Sequence, residues 1–218
     1  MKFRPNNVFG AIGPSACLIL ALLSAGSAGG GNPAQEQAGS PVPSRKIGYF
    51  TYLNEEVSAV LMVDVELARM RKDENYIPLS MKLANKGLHA LKIGRQSFEL
   101  LDPADAAYSM PGFKALEAVY KKYSADAKFY ARKIFTEGDV QTSFSTFPKL
   151  PCSFFPHPAK DSTMHDVLIE EVEIPQGSYI EDLLYFPRPK GSEPGQVLRL
   201  RLLDEDREPF IEVGFVIE

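Results

Sequence analysis

VSAVLMVDVEL, residues 57–67, is the stretch that decides the fold. Val57, Ala59, Leu61, Val63, Val65 and Leu67 fall on alternate positions, with Ser58, Asp64 and Glu66 among the residues between. Successive side chains of a strand point to opposite faces, so a period of two predicts a long strand with one buried face. Ile77, Leu79, Met81 and Leu83 repeat the pattern, and Asn85-Lys86-Gly87 supplies a turn. Residues 93–101 read as another strand, stopped at Asp102-Pro103. Leu198, Leu200 and Leu202 alternate with Val197, Arg199 and Arg201. A polar turn over 204–209 then leads to a closing strand carrying Ile211, Val213, Phe215 and Ile217. Several such strands joined by turns imply a mainly β chain, an antiparallel β-sandwich.

One segment breaks the period. Between 112 and 135, Phe113, Leu116, Val119, Tyr120 and Tyr123, then Phe129 and Ile134, recur at helical spacing. Ser124 is placed to cap a second short helix, with Asp126 in its first turn. A short α-helical insertion over about 112–135 is expected. PKLPCSFFPHP (148–158) follows, and its four prolines exclude a central strand. The reading is an ordered loop packed by Phe154 and Phe155.

Towards the N-terminus, ACLILALLSAGSA (16–28) is uncharged and lies behind Lys2 and Arg4. A positive start, a short apolar core and a small-residue exit make an export signal. The run is too short to span a bilayer, which takes about 20 apolar residues. The expected organisation is a signal peptide over 1–28, a flexible linker over 29–44 (GGGNPAQEQAGSPVPS) and a β-sandwich domain over 45–218. No stable membrane span is expected once the signal is removed. Ser27 stands where a lipoprotein box needs cysteine, so no lipid anchor is expected either.

The chain holds 24 basic and 28 acidic residues. Without Lys2 and Arg4 the balance is 22 against 28, a net charge of about −6, which argues against nucleic acid or an anionic membrane as partner. Cys152 is the one cysteine beyond the signal, so an intramolecular disulfide is ruled out and the fold must rest on burial. A domain of roughly 175 residues can do this, burying about 70% of its unfolded surface. Export without disulfides or a glycosylation sequon favours a bacterial periplasmic or secreted location.

Residues 76–108 carry a family pattern. An apolar alternating strand runs into Asn85-Lys86-Gly87, then Phe98-Glu99-Leu100-Leu101-Asp102 and, six residues on, Tyr108. This resembles the secreted immunoglobulin-like family of bacteria (MPT63-like and related domains of unknown function). YIEDLLYFPRP (179–189), with the strand after it, is similar to the family's closing half. The resemblance covers about half of the folded chain, and the helical stretch departs from it. It implies an immunoglobulin-like β-sandwich and supplies no catalytic residues.

The histidines are His89, His157 and His165. Cys152, His157 and His165 lie within fourteen positions, in or beside the proline-rich loop. Thiolate and imidazole are good zinc ligands, and the same cluster can be read as a Cys–His nucleophilic pair. The spacing matches no standard zinc motif, and a lone cysteine followed by two phenylalanines reads equally as a buried one. Gly-x-Ser-x-Gly, phosphate-loop and His-Glu-x-x-His patterns do not occur. The chain is therefore expected to be no enzyme and to need no cofactor, with a metal or enzyme site at Cys152, His157 and His165 as the alternative. Asp204-Glu205-Asp206 reads as a hairpin tip of solvated charge. Lys121, Lys122, Lys128, Arg132 and Lys133 make the inserted helices basic against an acidic body, a candidate face for an acidic partner. Phe144, Phe147, Phe154, Phe155, Tyr185 and Phe186 are expected in the core, and would mark a partner groove were they exposed together. The expected role is an exported, non-catalytic module that binds a protein or a cell-envelope component.

Overall fold

The alternating stretches pair into antiparallel ladders. The computed structural model describes residues 43–131, 143–155, 170–191 and 193–218. The chain divides into two units, Met1–Ala38 and Gly39–Glu218, and every described residue belongs to the second. Its first half runs β1 (Arg45–Lys46), β2 (Thr51–Glu55), β3 (Ala59–Asp64), α1 (Glu66–Met70), β4 (Tyr76–Asn85), β5 (Leu91–Gly94), β6 (Phe98–Leu101) and β7 (Ala107–Ser109). Then come α2 (Phe113–Val119), α3 (Tyr123–Tyr130), β8 (Glu171–Ile174), β9 (Ser178–Pro187), β10 (Val197–Leu203) and β11 (Pro209–Val216). One sheet is ordered β1-β2-β3-β4-β9, a second β11-β10-β6-β7, and β5 pairs with β8. Leu61, Val63, Leu79 and Met81 of the first sheet share one core with Phe98, Leu200, Val213 and Phe215 of the second. The chain is mainly β, with antiparallel sheets in a β-sandwich and two short helices inserted between β7 and β8.

The strand expected over 57–67 is shorter. Asp64 ends it: one carboxylate oxygen accepts the Glu66 N–H and the other the Thr51 hydroxyl, each at 3.0 Å. The chain turns there into α1, so Leu67 reaches the core from a helix, while Val57 sits in a turn, 95% exposed. Val60 and Met62, on the second face of β3, pack with Leu53, Ala84 and Phe144 in a smaller cluster. Both faces of β3 are buried, which is why its intervening positions are also apolar.

The strand expected over 93–101 is two strands. A 3-10 turn over Arg95–Ser97 separates them, closed by the Gly94 N–H on Ser97 Oγ at 3.1 Å, and passes the chain from β8 to β10 as partner. A Cβ on Gly94 would lie 2.7 Å from the Glu170 carbonyl oxygen, so only glycine permits this approach. Ser124 does not cap a helix. The helix begins one residue earlier, at Tyr123, after a Lys122 already in helical conformation and without a side-chain cap.

Both edges of the first sheet are managed. At one, the Ser44 N–H donates to the Gly214 carbonyl at 2.8 Å and Ser44 Oγ accepts the Gly214 N–H at 2.9 Å. Arg45 and Lys46 then pair with β2, so this short clasp joins β11 to the opposite sheet. At the other, the proline-rich segment lies along β9. Lys149 bridges to Tyr179, the Leu150 N–H reaches the Tyr179 carbonyl at 2.8 Å, and the Phe154 N–H reaches the Asp182 carboxylate at 2.7 Å. Phe144, Phe154, Phe155, Tyr185 and Phe186 are buried as core, and Phe147 is half-buried against the smaller cluster.

Asn85 sets the corner of the fold. The β4–β9 ladder ends at Asn85↔Ser178, and the β5–β8 ladder resumes beyond a bend at Leu91↔Ile174. The Asn85 amide donates to the carbonyls of His89 and Ile174, both at 2.8 Å, and its Oδ1 accepts the Gly87 N–H at 2.9 Å. Its backbone carbonyl takes the Gly177 N–H at 2.8 Å. Asn85→Ala removes the donors to the His89 and Ile174 carbonyls, while the Gly87 N–H keeps the Ser58 carbonyl, and each unsatisfied buried group costs about 1–3 kcal/mol. The expected loss is about 3 kcal/mol, read as a lower urea midpoint with an unchanged slope. Asn85→Asp turns an acceptor towards two carbonyl oxygens and should be worse than alanine at neutral pH.

Candidate functional site

Cys152, in the segment along β9, is half-buried and free of any disulfide. Burial, and then the nearby Asp182 carboxylate, push its thiol well above the ordinary range, with Lys149 opposing. That direction is opposite to the lowering that makes a reactive thiolate. His157 and His165 lie outside the described residues. Among the described residues no group of three His, Cys, Asp or Glu side chains stands close enough to hold a metal ion. His89 is exposed, and its carbonyl serves the Asn85 corner.

Lys121 and Lys122 are exposed between α2 and α3 and Lys128 is exposed on α3, and Arg132 and Lys133 lie outside the described residues. The Lys121 ammonium donates to the Ala118 carbonyl at 2.9 Å and so finishes the end of α2. The opposite side of the insertion is fastened by charge. Arg71, just past α1, places Nε and Nη2 each 2.8 Å from one Asp126 oxygen, and the Tyr120 hydroxyl donates to the other at 2.5 Å. The Asp126 side chain is fully buried. Burial holds its carboxyl above the usual range, against the opposing pull of Tyr120 and Arg71. Around this triad Tyr120 and Tyr123 pack on Tyr185, with ring centres 5.7 and 5.5 Å away.

Two surface hollows adjoin at one end of the sandwich, sharing Glu218. The first surrounds the β1–β2 turn. The Ile47 N–H donates to the Thr51 carbonyl and the Val65 N–H to the Phe50 carbonyl, both at 2.9 Å, so the turn is held on two sides. It presents Tyr49 at 89% exposure, with its ring 6.5 Å from that of Phe50. The Arg69 guanidinium lies over Phe50 at 5.2 Å, the Lys46 ammonium lies 5.7 Å from the Tyr52 ring, and Met70 is 53% exposed.

The second is a cavity of about 320 Å³ that includes Arg188, Lys72, Asp73 and Glu193. Arg188 follows β9 between two prolines and is half-buried. Its guanidinium donates to the carbonyls of Glu74 at 2.8 Å and Arg71 at 2.9 Å. Burial holds its pKa below the usual value, with Asp73 and Tyr120 opposing. A larger hollow of about 680 Å³ lies by the β10–β11 turn. There the charges largely answer one another: Lys92 pairs with Glu171 at 2.8 Å, Arg207 with Glu99 at 3.4 Å, and Asp204 accepts two N–H groups of its own turn.

Sequence reading marked the helix lysines but missed Tyr49 and Arg188. An aromatic beside a strand reads as core, and an arginine between prolines reads as loop. Comparison with protein-family models, with curated proteins and with solved structures gave no match.

The Arg71–Asp126 pair makes a pH-dependent prediction. Arg71→Met leaves a buried carboxylate without its cation, at a cost of about 3–5 kcal/mol at pH 7. The folded-state pKa of Asp126 then rises further above its unfolded value, so protonation favours the fold. The deficit should shrink as pH falls towards the unfolded carboxylate pKa and be greatest above the folded one. Urea unfolding of wild type and variant between pH 4 and 7 measures it.

Proposed function

We propose that the chain is an exported, non-catalytic, immunoglobulin-like module of the bacterial periplasm or exterior, which docks on a protein or cell-envelope component. The docking surface is the end of the sandwich that carries Tyr49. The observation behind this reading is the Tyr49 ring, 89% exposed on a turn pinned by backbone hydrogen bonds, with Phe50 and Arg69 beside it. A single exposed apolar side chain would need no explanation. Here Tyr49 and Arg69 line one hollow with Phe50, and tyrosine and arginine are enriched where proteins bind one another. A rigid aromatic anchor gives contact area at little cost in conformational entropy. Lys46 and Arg69 favour an acidic partner.

The location rests on the charged start, apolar core and small-residue exit of residues 1–28. Among the described residues no helix is long and apolar enough to cross a membrane. The exposed helix cations Lys122 and Lys128 offer the competing surface, with Val119 as their exposed apolar neighbour. Among the described residues they have no fully exposed aromatic beside them, and a charged helix face is an ordinary solvated one.

Tagged chain is tested for retention of a partner from a native envelope fraction, with variants in parallel. Tyr49→Ser and Arg69→Gln should each lose the partner while changing stability by no more than about 0.5 kcal/mol. Lys122→Gln with Lys128→Gln should keep it. Retention by Tyr49→Ser, or loss only in the helix variant, would reject this surface.

A further inference from the structure

Arg188 carries a separate site. A guanidinium has five N–H donors, and two are spent here on the carbonyls of Glu74 and Arg71. Among the described residues it makes no ion pair with a carboxylate. Asp73 attracts it without pairing with it, and burial still holds its pKa below the usual value. The remaining donors belong to a group that lines the 320 Å³ cavity. That volume is at the lower end of ligand sites.

The walls narrow the chemistry. Arg188 and Lys72 are basic, Asp73, Glu193 and Glu218 are acidic, and Leu198 and Ile217 are apolar. A simple anion would suit the guanidinium but meet three carboxylates, and a simple cation would meet the reverse. A ligand with both charges answers both sets of side chains in the lining. We propose that this cavity binds a small zwitterion, a free amino acid or dipeptide with an apolar side chain. Its carboxylate takes the open donors of Arg188, where planar guanidinium and carboxylate match. Its ammonium lies among Asp73, Glu193 and Glu218, and its side chain meets Leu198 and Ile217. The site does not depend on the docking surface at Tyr49.

Isotope-labelled full chain is titrated with leucine, leucinamide and N-acetylleucine, following the amide resonances of Asp73, Arg188 and Leu198. Leucine should give saturable shifts at millimolar concentration, and both analogues, each lacking one charge, should bind about tenfold more weakly. Arg188→Gln should abolish leucine binding. Glu193→Gln should weaken leucine but not N-acetylleucine, and it decides the matter if Arg188→Gln fails to fold. Tyr49→Ser should leave the titration unchanged, separating this site from docking. No saturable shift with leucine overturns the proposal. So does N-acetylleucine binding as tightly as leucine, which would make the cavity a plain anion site.

Discussion

A single amide holds two strands together where they change direction. Asn85 has two donor hydrogens and an acceptor oxygen, and the bend between β4 and β5 presents two carbonyls and one N–H to receive them. Without that match the bend would take its donor from the buried Ile174 carbonyl, a loss that protein interiors seldom tolerate. With it, the strands that close the first sheet continue as the β5–β8 pair, and the chain then enters the second sheet through β6. The order of the strands across the sandwich follows from that bend. Gly94 completes it by letting β5 approach Glu170 more closely than any side chain would allow.

Stability without disulfides comes from layering. The first sheet is covered on both faces, by the main core and by the smaller cluster around Phe144. Phe154 lies edge-on to Phe98 at 5.9 Å, and Phe155 edge-on to Tyr185 at 5.3 Å. The prolines suit a segment that lies beside β9 without extending its ladder. The outer face of β10 is different: Arg199 pairs with Asp105 and Glu212, and Arg201 with Glu212. Arg199, Arg201 and Glu212 are half-buried there and only Asp105 is exposed, so this face is a charged network laid over the apolar side of the strand.

Period-two alternation made β4, β10 and β11 legible, because each follows it without interruption. It could not show where a strand stops. Leu67 continues the alternation of β3 across Asp64, yet the Asp64 carboxylate has already turned the backbone into α1. Nor could it show a change of partner within 93–101, since a 3-10 turn of three residues barely disturbs the apolar spacing. Asp126 was placed in the right helix turn but given a role at the helix end; its partner, Arg71, is 55 positions away. The site was less legible than the fold. Exposure of Tyr49 and the lack of a direct ion pair at Arg188 depend on what the remaining chain brings near them, and local composition does not record that.

The clasp at Ser44 has a mechanical consequence. Tension arriving from the chain before residue 43 would act first on the two bonds between Ser44 and Gly214, then on the two-residue β1. It would not act first on the long β3–β4 and β4–β9 ladders. These outer bonds would open one after another, like a zip, and yield a few residues of slack. The clasp is therefore a strain relief, spending its own weak contacts before load reaches the core.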